Sequence, residues 1–450
     1  MTLPRHPNRM LAALLTEADW SATDLARAVN TLGAAQGLRL RYDHASVARW
    51  LDGARPRPPV AHLVGQVLGQ RLGRRVTLQG TGFAEPSAGV APVLRAALRG
   101  GDPVRRLAAL CHADADPVRR GALAGAALAH PPRLHTGWGG RRPELPPADP
   151  RAPRVPAAAP ARLEAVALRT ALLGERYGGA HGRPALAAFL AAEAVPLLTA
   201  PAHPAVRRAL FTGAAQLTLL LAGRTGEIGH PALARHYYDV ALALARTAGD
   251  LTSYTVVLRC LSVQAHQRGD HQEAAALGDA AVDLAGGAVP DAVRAYLHAG
   301  RAAVGAGAGR GRGAGADLLA AETRLAHATG PEGPFTSYPE TALRYQRAEV
   351  LSCLGDHRAA LRELHLSLAC RPADHHKARA LLHARIAHTL LAVDEIDGAA
   401  DHAFRALRHQ RQLAAGSAHG TLPRLAHHLA PYQSNPRVRE FREALRPAAG

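Results

Sequence analysis

Aromatic side chains make up only 4% of this 450-residue chain, and lysine is nearly missing: Lys377 is the one lysine among 54 basic residues. Ile and Asn occur three times each. So few Tyr, Phe and Trp weigh against a large all-β fold, whose pleated surfaces draw on them. No apolar run approaches the roughly 18 residues that a membrane-spanning helix needs. The best of them, near Leu217 to Ala222, is far shorter. A secretory leader is not expected either, because Met10 to Leu15 runs straight into Thr16-Glu17-Ala18-Asp19, an ordinary helix start. The four cysteines, Cys111, Cys260, Cys353 and Cys370, form no C-x-x-C pair. They support neither a disulfide framework nor a zinc knuckle and read as reduced, mostly buried thiols. These absences together point to a cytoplasmic protein that makes no membrane contact.

Alanine, about a fifth of the residues, favours helix, so the expected fold class is all-α. The length suits two or three domains. The dominance of Arg, Ala, Gly and Pro resembles the output of a GC-rich genome, yet the net charge of +18 is unevenly spread. Residues 1–75 carry 11 Arg against 5 acids. A basic small domain on a less charged body suggests a nucleic-acid module attached to something else. Nine prolines between Pro131 and Pro160, mixed with Gly139, Gly140 and five Arg, predict a semi-extended linker. The expected map is therefore a DNA-binding domain at 1–75, a helical connector at 76–130, the linker at 131–160, a helical array at 161–430 and a tail at 431–450. Within the connector, Val90 to Leu98 and Val118 to Leu128 have helical spacing.

In the N-terminal segment Leu11, Leu14, Leu15 and Ala18 recur at helical spacing. Ser21 followed by Asp24 is a capping-box start to a second helix that buries Leu25, Ala26 and Val29. Asp43 caps a third, in which Val47, Trp50 and Leu51 face inward and His44, Ala45, Ala48 and Arg49 outward. Gly53 stops it, and Pro58-Pro59 starts a fourth with Val60, Leu63, Val64, Val67 and Leu68 buried. A short helix with small residues on its outer face suits a helix-turn-helix domain. His44, Ala45, Ala48 and Arg49 are then the base-contact candidates, with Arg49 able to fork onto guanine. Arg39, Arg41, Arg55 and Arg57 flank that helix as phosphate contacts.

Ser21-x-x-Asp24-Leu25-Ala26, Ser46-Val47-Ala48-Arg49-Trp50-Leu51-Asp52-Gly53 and Pro56-x-Pro58 resemble the XRE/Cro-type helix-turn-helix over about residues 8–73. The resemblance implies double-stranded DNA as a partner, and a homodimer if the site is palindromic. Asn30 to Tyr42 is an insertion against that family, and it either lengthens the second helix or forms a wing.

Farther on, Gly229, Gly269, Gly311, Gly355 and Glu395 recur at intervals of 40 to 44 residues, each followed five positions later by Ala: Ala234, Ala274, Ala316, Ala360 and Ala400. Glycine lets one helix end, and a small residue lets the next pack closely. These hairpins resemble tetratricopeptide repeats over about residues 205–410, with Gly-Asp-x-x-x-Ala as the matching core, and imply a stacked solenoid. Ten positions before each repeat glycine stand Arg259, Arg301, Tyr345 and Arg385, with Tyr254, Tyr296 and Arg347 close by. In tetratricopeptide families that phase faces a groove, so these residues are candidates to hold an acidic or carboxylate-ended peptide.

No catalytic signature accompanies this pattern. There is no His-Glu-x-x-His, no Gly-x-Ser-x-Gly elbow and no phosphate-binding glycine motif. The Gly305 to Gly315 tract reads as a flexible loop or frayed helix end. The ten histidines from His365 to His428 read as surface residues, not as metal ligands. The expected protein is thus a non-enzymatic regulator without cofactors or metal. Its architecture resembles regulators of sporulation and antibiotic production in filamentous actinobacteria, whose repeats sense a peptide, protein or small molecule. A scaffold that binds a regulatory protein and no DNA is the alternative.

Overall fold

The structure, a computed structural model, describes residues 7–35, 38–72, 76, 78, 80–83, 101–116, 120, 138, 144–329, 333, 335–414 and 421–445. The fold is all-α, and among the described residues there is no strand. Nor is any helix among them long and apolar enough to cross a membrane.

Four helices form the N-terminal bundle: α1 Arg9–Ala18, α2 Ala22–Ala35, α3 His44–Leu51 and α4 Pro58–Leu72. Their ends follow the capping chemistry of the sequence. Asp24 accepts from the Ser21 amide and hydroxyl while the Ser21 hydroxyl accepts from the Asp24 amide. The Asp43 carboxylate receives the Ser46 amide at 2.8 Å and the Ser46 hydroxyl at 2.7 Å. Those bonds hold its pKa below the ordinary carboxylate value. Leu11, Leu14, Leu25, Val29, Val47, Trp50, Leu63 and Leu68 fill the core. That core continues beyond residue 75: Phe83 is buried edge-on to Trp50, and Val76 and Leu78 pack beside it.

The segment between α2 and α3 is an extended strap over 38–43. Leu38, Leu40 and Tyr42 turn toward the core while Arg39 and Arg41 point out, the period of two expected of extended backbone. One side chain moors it. The Asn30 amide donates to the Tyr42 carbonyl at 2.8 Å and accepts from the Tyr42 amide at 3.0 Å, as a neighbouring strand would. Asn30→Ala is expected to cost the bundle about 1–2 kcal/mol, since two backbone groups lose their partner. Chemical denaturation of residues 1–84 measures it, and a loss below the error of the fit would show that the strap holds without Asn30.

Helix α5, Pro103–Ala115, belongs to the array and not to a free connector, with Leu107 and Leu110 in its core. The helices expected at Val90 to Leu98 and Val118 to Leu128 lie outside the described residues, Arg120 apart. The described half of the proline-rich stretch is docked as well. Val155 is buried, the Asp149 and Val155 amides bond the Thr199 and Pro201 carbonyls, and Arg207 donates to the Pro146 carbonyl. The stretch thus bonds the array surface through the few amides its prolines leave and through the Pro146 carbonyl, without becoming a helix there.

After α6, Ala159–Tyr177, come α7, Arg183–Phe189, a π turn at Leu190–Ala194 and α8, Val195–Thr199. Five antiparallel hairpins follow: α9/α10 (Pro204–Glu227, Pro231–Ala248), α11/α12 (Leu251–Gln267, His271–Ala285), α13/α14 (Asp291–Gly307, Gly311–Ala326), α15/α16 (Glu340–Cys353, His357–Ala369) and α17/α18 (His376–Leu391, Ile396–Gln410). Each hairpin turns through a residue of positive φ: Gly229, Gly269, Gly309, Gly355 and Asp394. The following amide bonds back five residues, at 2.8 to 3.1 Å, in all five. The true repeat residues are therefore Gly309 and Asp394, where the sequence pattern suggested Gly311 and Glu395. Five positions on from the turn residues stand Ala234, Ala274, Ala314, Ala360 and Ala399, all buried, whereas the expected Ala316 is exposed. The Gly305 to Gly315 tract is accordingly the end of α13, one tight turn and the start of α14, not a loose loop.

First helices of the early hairpins pack side by side, while second helices pack on first helices. The first-helix row is thus the inner one. The stack curls far enough for α6 to meet α17. Lys377 at the start of α17 lies 2.5 Å from Glu227 at the end of α9 and 3.7 Å from Glu175 of α6. The Ala414 amide bonds the Tyr177 carbonyl nearby. Beyond the fifth hairpin, α19 (Thr421–His428) and α20 (Pro436–Ala444) cap the array, so the expected tail contains a helix with Val438 and Phe441 buried.

Candidate functional site

Two surfaces gather the predicted residues. The first is the outer face of α3. His44, Ala45, Ala48 and Arg49 are all exposed on it, while Val47 and Trp50 anchor the opposite face and Tyr42 lies 5.0 Å from the Trp50 ring. Gly53, at φ 93°, ends the helix, and the Ala54 amide closes the turn on the Arg49 carbonyl. Arg49 leans weakly on the Ser46 hydroxyl at 3.4 Å. The face has small side chains at two of its four positions, which lets another surface approach the backbone.

The flanking cations come from two different pieces of chain. Arg39 and Arg41 project from the strap that Asn30 moors, and Arg55 and Arg57 from the turn into α4. All four are exposed. Arg39, Arg41 and Arg57 rim a shallow open groove floored by Leu38, Leu40, Tyr42, Pro59 and Val60. The residues read as an insertion therefore present two of the arginines next to α3, while α2 is lengthened as far as Ala35.

The inner row of the array is the second surface, and here the register shift decides which candidates face it. Because Gly309 makes the turn, Arg301 stands eight residues before it, on the side toward the second helices. It bonds Asp317 at 2.6 Å and approaches Asp279 of the preceding hairpin at 3.5 Å. Arg347 stands eight before Gly355 and pairs in the same way with Glu322 and Glu363. Both staple one hairpin to the next and neither is available to a partner. Tyr254 is also excluded as a groove residue, being 1% exposed and packed edge-on against Trp138.

Arg259, Tyr296, Tyr345 and Arg385 do come together, on successive first helices. The Arg259 guanidinium lies 3.7 Å above the Tyr296 ring and donates to the Tyr296 carbonyl at 3.1 Å and hydroxyl at 2.8 Å. Arg385 pairs with Glu349 and sits 6.0 Å from the Tyr345 ring. Tyr338, which no spacing argument singled out, joins them 5.4 Å from Tyr296, with its hydroxyl buried and unpartnered. Burial raises the pKa of all three phenols. The helical Gly300 was a missed signal: a Cβ there would lie 2.5 Å from Arg259 Nε.

The C-terminal histidines are surface residues only in part: among the described ones His365, His427 and His428 are exposed, as expected, and two are buried. His383 and His402 are buried with their Nδ1 atoms 3.1 Å apart, and His376 and His409 face each other at the same distance. Ala-rich helices leave space between them that planar rings fill. Among the described residues no group of three or more His, Cys, Asp or Glu is placed to hold a metal. Of the cysteines only Cys111 is buried; Cys353 and Cys370 are exposed, contrary to expectation, because they end helices.

A family model described as the SP15 N-terminal domain matches residues 11–84. The chain is similar to that family over its N-terminal bundle, and the match ends one residue past Phe83. No curated protein matches the chain.

Proposed function

We propose that the protein is a sequence-reading DNA-binding regulator, with α3 as its recognition helix and the hairpin array as its sensor. One observation carries this reading: a short helix offers His44, Ala45, Ala48 and Arg49 outward, between two pairs of exposed arginines, one of them on the strap that Asn30 moors. Base contacts require a face that approaches closely and a fork such as Arg49; phosphate contacts require cations on both sides of it. The XRE/Cro-type and tetratricopeptide resemblances support the same division of labour, as do the uneven charge and the lack of catalytic motifs. The regulator is cytoplasmic, without cofactor, and dimeric on a palindromic operator.

Fluorescence anisotropy of the full chain with pooled genomic fragments, at two salt concentrations, tests the reading. Arg49→Ala is expected to reduce preference for the recovered fragments by about 1–3 kcal/mol. Arg57→Ala is expected to weaken binding to all fragments alike and to lessen the salt dependence. Equal affinity and preference in wild type and Arg49→Ala would remove α3 from the groove. Salt-labile binding that ignores both substitutions would favour the protein scaffold.

A further inference from the structure

We propose that the inner face of the array holds a small oxyanion, a carboxylate or phosphate on an apolar body, between the Arg259 guanidinium and the Tyr338 hydroxyl. The proposal rests on the sensor reading above and names the chemistry of what is sensed.

Arg259 is the starting point because its charge is unanswered. On the first helices of hairpins two to five, Arg294, Arg301, Arg344, Arg347 and Arg385 each have a carboxylate within 4 Å: Asp291, Asp317, Glu340, Glu363 and Glu349. Arg379 is turned onto backbone carbonyls and His409. Among the described residues no carboxylate comes that close to Arg259. Glu349 is a carboxylate whose charge reaches it, and Glu349 is engaged by Arg385. A half-buried guanidinium with no counter-ion is costly unless an anion joins it.

Its placement is built. Tyr296 takes Nε–H and one N–H of the guanidinium and the Cys260 thiol lies within reach of another, so the guanidinium still keeps donors for an oxyanion. Gly300 is what lets the guanidinium lie flat there, since a Cβ would meet Nε at 2.5 Å. Glycine inside a helix is unfavourable, and at this position its evident return is the seat of Arg259.

Tyr338 supplies the second, independent sign. It is 6% exposed, its hydroxyl has no partner, and the charges that reach it are those of Arg259, Glu349 and Arg371. Arg371 Nε is likewise buried and unpartnered. A buried O–H donor beside an uncompensated guanidinium is a pair of donors lacking a shared acceptor, and an oxyanion is that acceptor. The rings of Tyr296 and Tyr338, 5.4 Å apart, offer an apolar, aromatic wall to the remainder of the ligand.

Thermal unfolding of the full chain without DNA, titrated at constant ionic strength with benzoate, phenyl phosphate and inorganic phosphate, tests this. Benzoate or phenyl phosphate is expected to raise the midpoint saturably. A shift with benzoate alone identifies a carboxylate, and one with phenyl phosphate alone identifies a phosphate. Tyr338→Phe, which keeps the ring, should weaken binding about tenfold, and Arg259→Met should abolish it. Gly300→Ala is the decisive variant: it keeps the arginine, favours helix, and should still lose the shift, with circular dichroism confirming the fold. No saturable shift with any of the three anions would overturn the proposal, as would equal shifts in wild type and all three variants. A shift with inorganic phosphate as large as with the aromatic anions would overturn the apolar body. Because DNA is absent from the titration, failure here leaves the DNA-binding reading standing, and the anisotropy experiment can fail without touching this one.

Discussion

Replacing Asp114 by alanine is expected to lower the stability of the array by about 3–5 kcal/mol, the range for breaking a buried ion pair from one side. The Asp114 carboxylate is 1% exposed and receives Arg183 at 2.6 Å, Arg120 at 2.9 Å and the Tyr237 hydroxyl at 2.7 Å. Arg183 is as deeply buried, and its Nε reaches the Thr225 hydroxyl. Alanine at 114 would strand a guanidinium and a phenol in the core between α5, α7, α9 and α10. The same arithmetic says what the network is not worth. Desolvating both charges offsets most of their attraction, so Asp114→Leu with Arg183→Met is expected to recover most of the loss. Urea denaturation of both variants gives the comparison. A single-variant loss under about 1 kcal/mol would show that water reaches Asp114 and that α5 is not fastened by it.

Acid is the second strong lever, and it acts on the fifth hairpin. Burial, together with neighbouring imidazoles and the Arg379 and Arg405 guanidinium groups, lowers His383 to about 3. Burial and Arg405 lower His402 to about 4, against a small opposing effect of Asp401. His388 and His409 also fall to about 4, chiefly through burial. An imidazole whose folded pKa lies below its unfolded value of 6.5 binds its proton more readily in the unfolded chain. The stability it contributes is complete above pH 6.5 and declines as the pH falls toward the folded pKa. For each of the two buried rings the loss at pH 5 is about 2 kcal/mol. Urea midpoints at pH 7, 6 and 5 are expected to fall steadily, and His383→Leu with His402→Leu should flatten the slope. An unchanged slope in that double variant would place the acid sensitivity elsewhere.

Helix class and hairpin order were legible in the sequence because alanine content and apolar spacing are local properties. So were the caps at Ser21, Asp24 and Asp43, whose bonds span three residues. The repeat register was legible only to within two residues: an alanine stands five after nearly any residue here, and only the backbone tells Gly309 from Gly311. That small offset put Arg301 in line with Arg259, though it points to the neighbouring hairpins. Asp114 and Tyr338 depend on elements that meet only in the folded chain, so no spacing could reveal them.

Composition did hold one unused clue. All three asparagines bond backbone amides: Asn8 caps α1 and donates to the Thr81 carbonyl, Asn30 moors the strap, and Asn435 caps α20. The lone lysine closes the array. In a chain nearly emptied of these residue types, those that occur stand where a short amide or a compact ammonium performs a specific task.

That closure changes how the array should come apart. A linear stack of repeats has two free ends, and loss of structure begins there because terminal units have one neighbour instead of two. Here the fifth hairpin, which also meets the fourth hairpin and the α19/α20 cap, is bridged by Lys377 to Glu227 of the first hairpin and to Glu175 of α6. The stack thereby acquires something close to a periodic boundary. Fraying from either end must first open that seam, so hydrogen exchange should grade weakly along hairpins one to five. Any stimulus that opens the seam would release the whole row together.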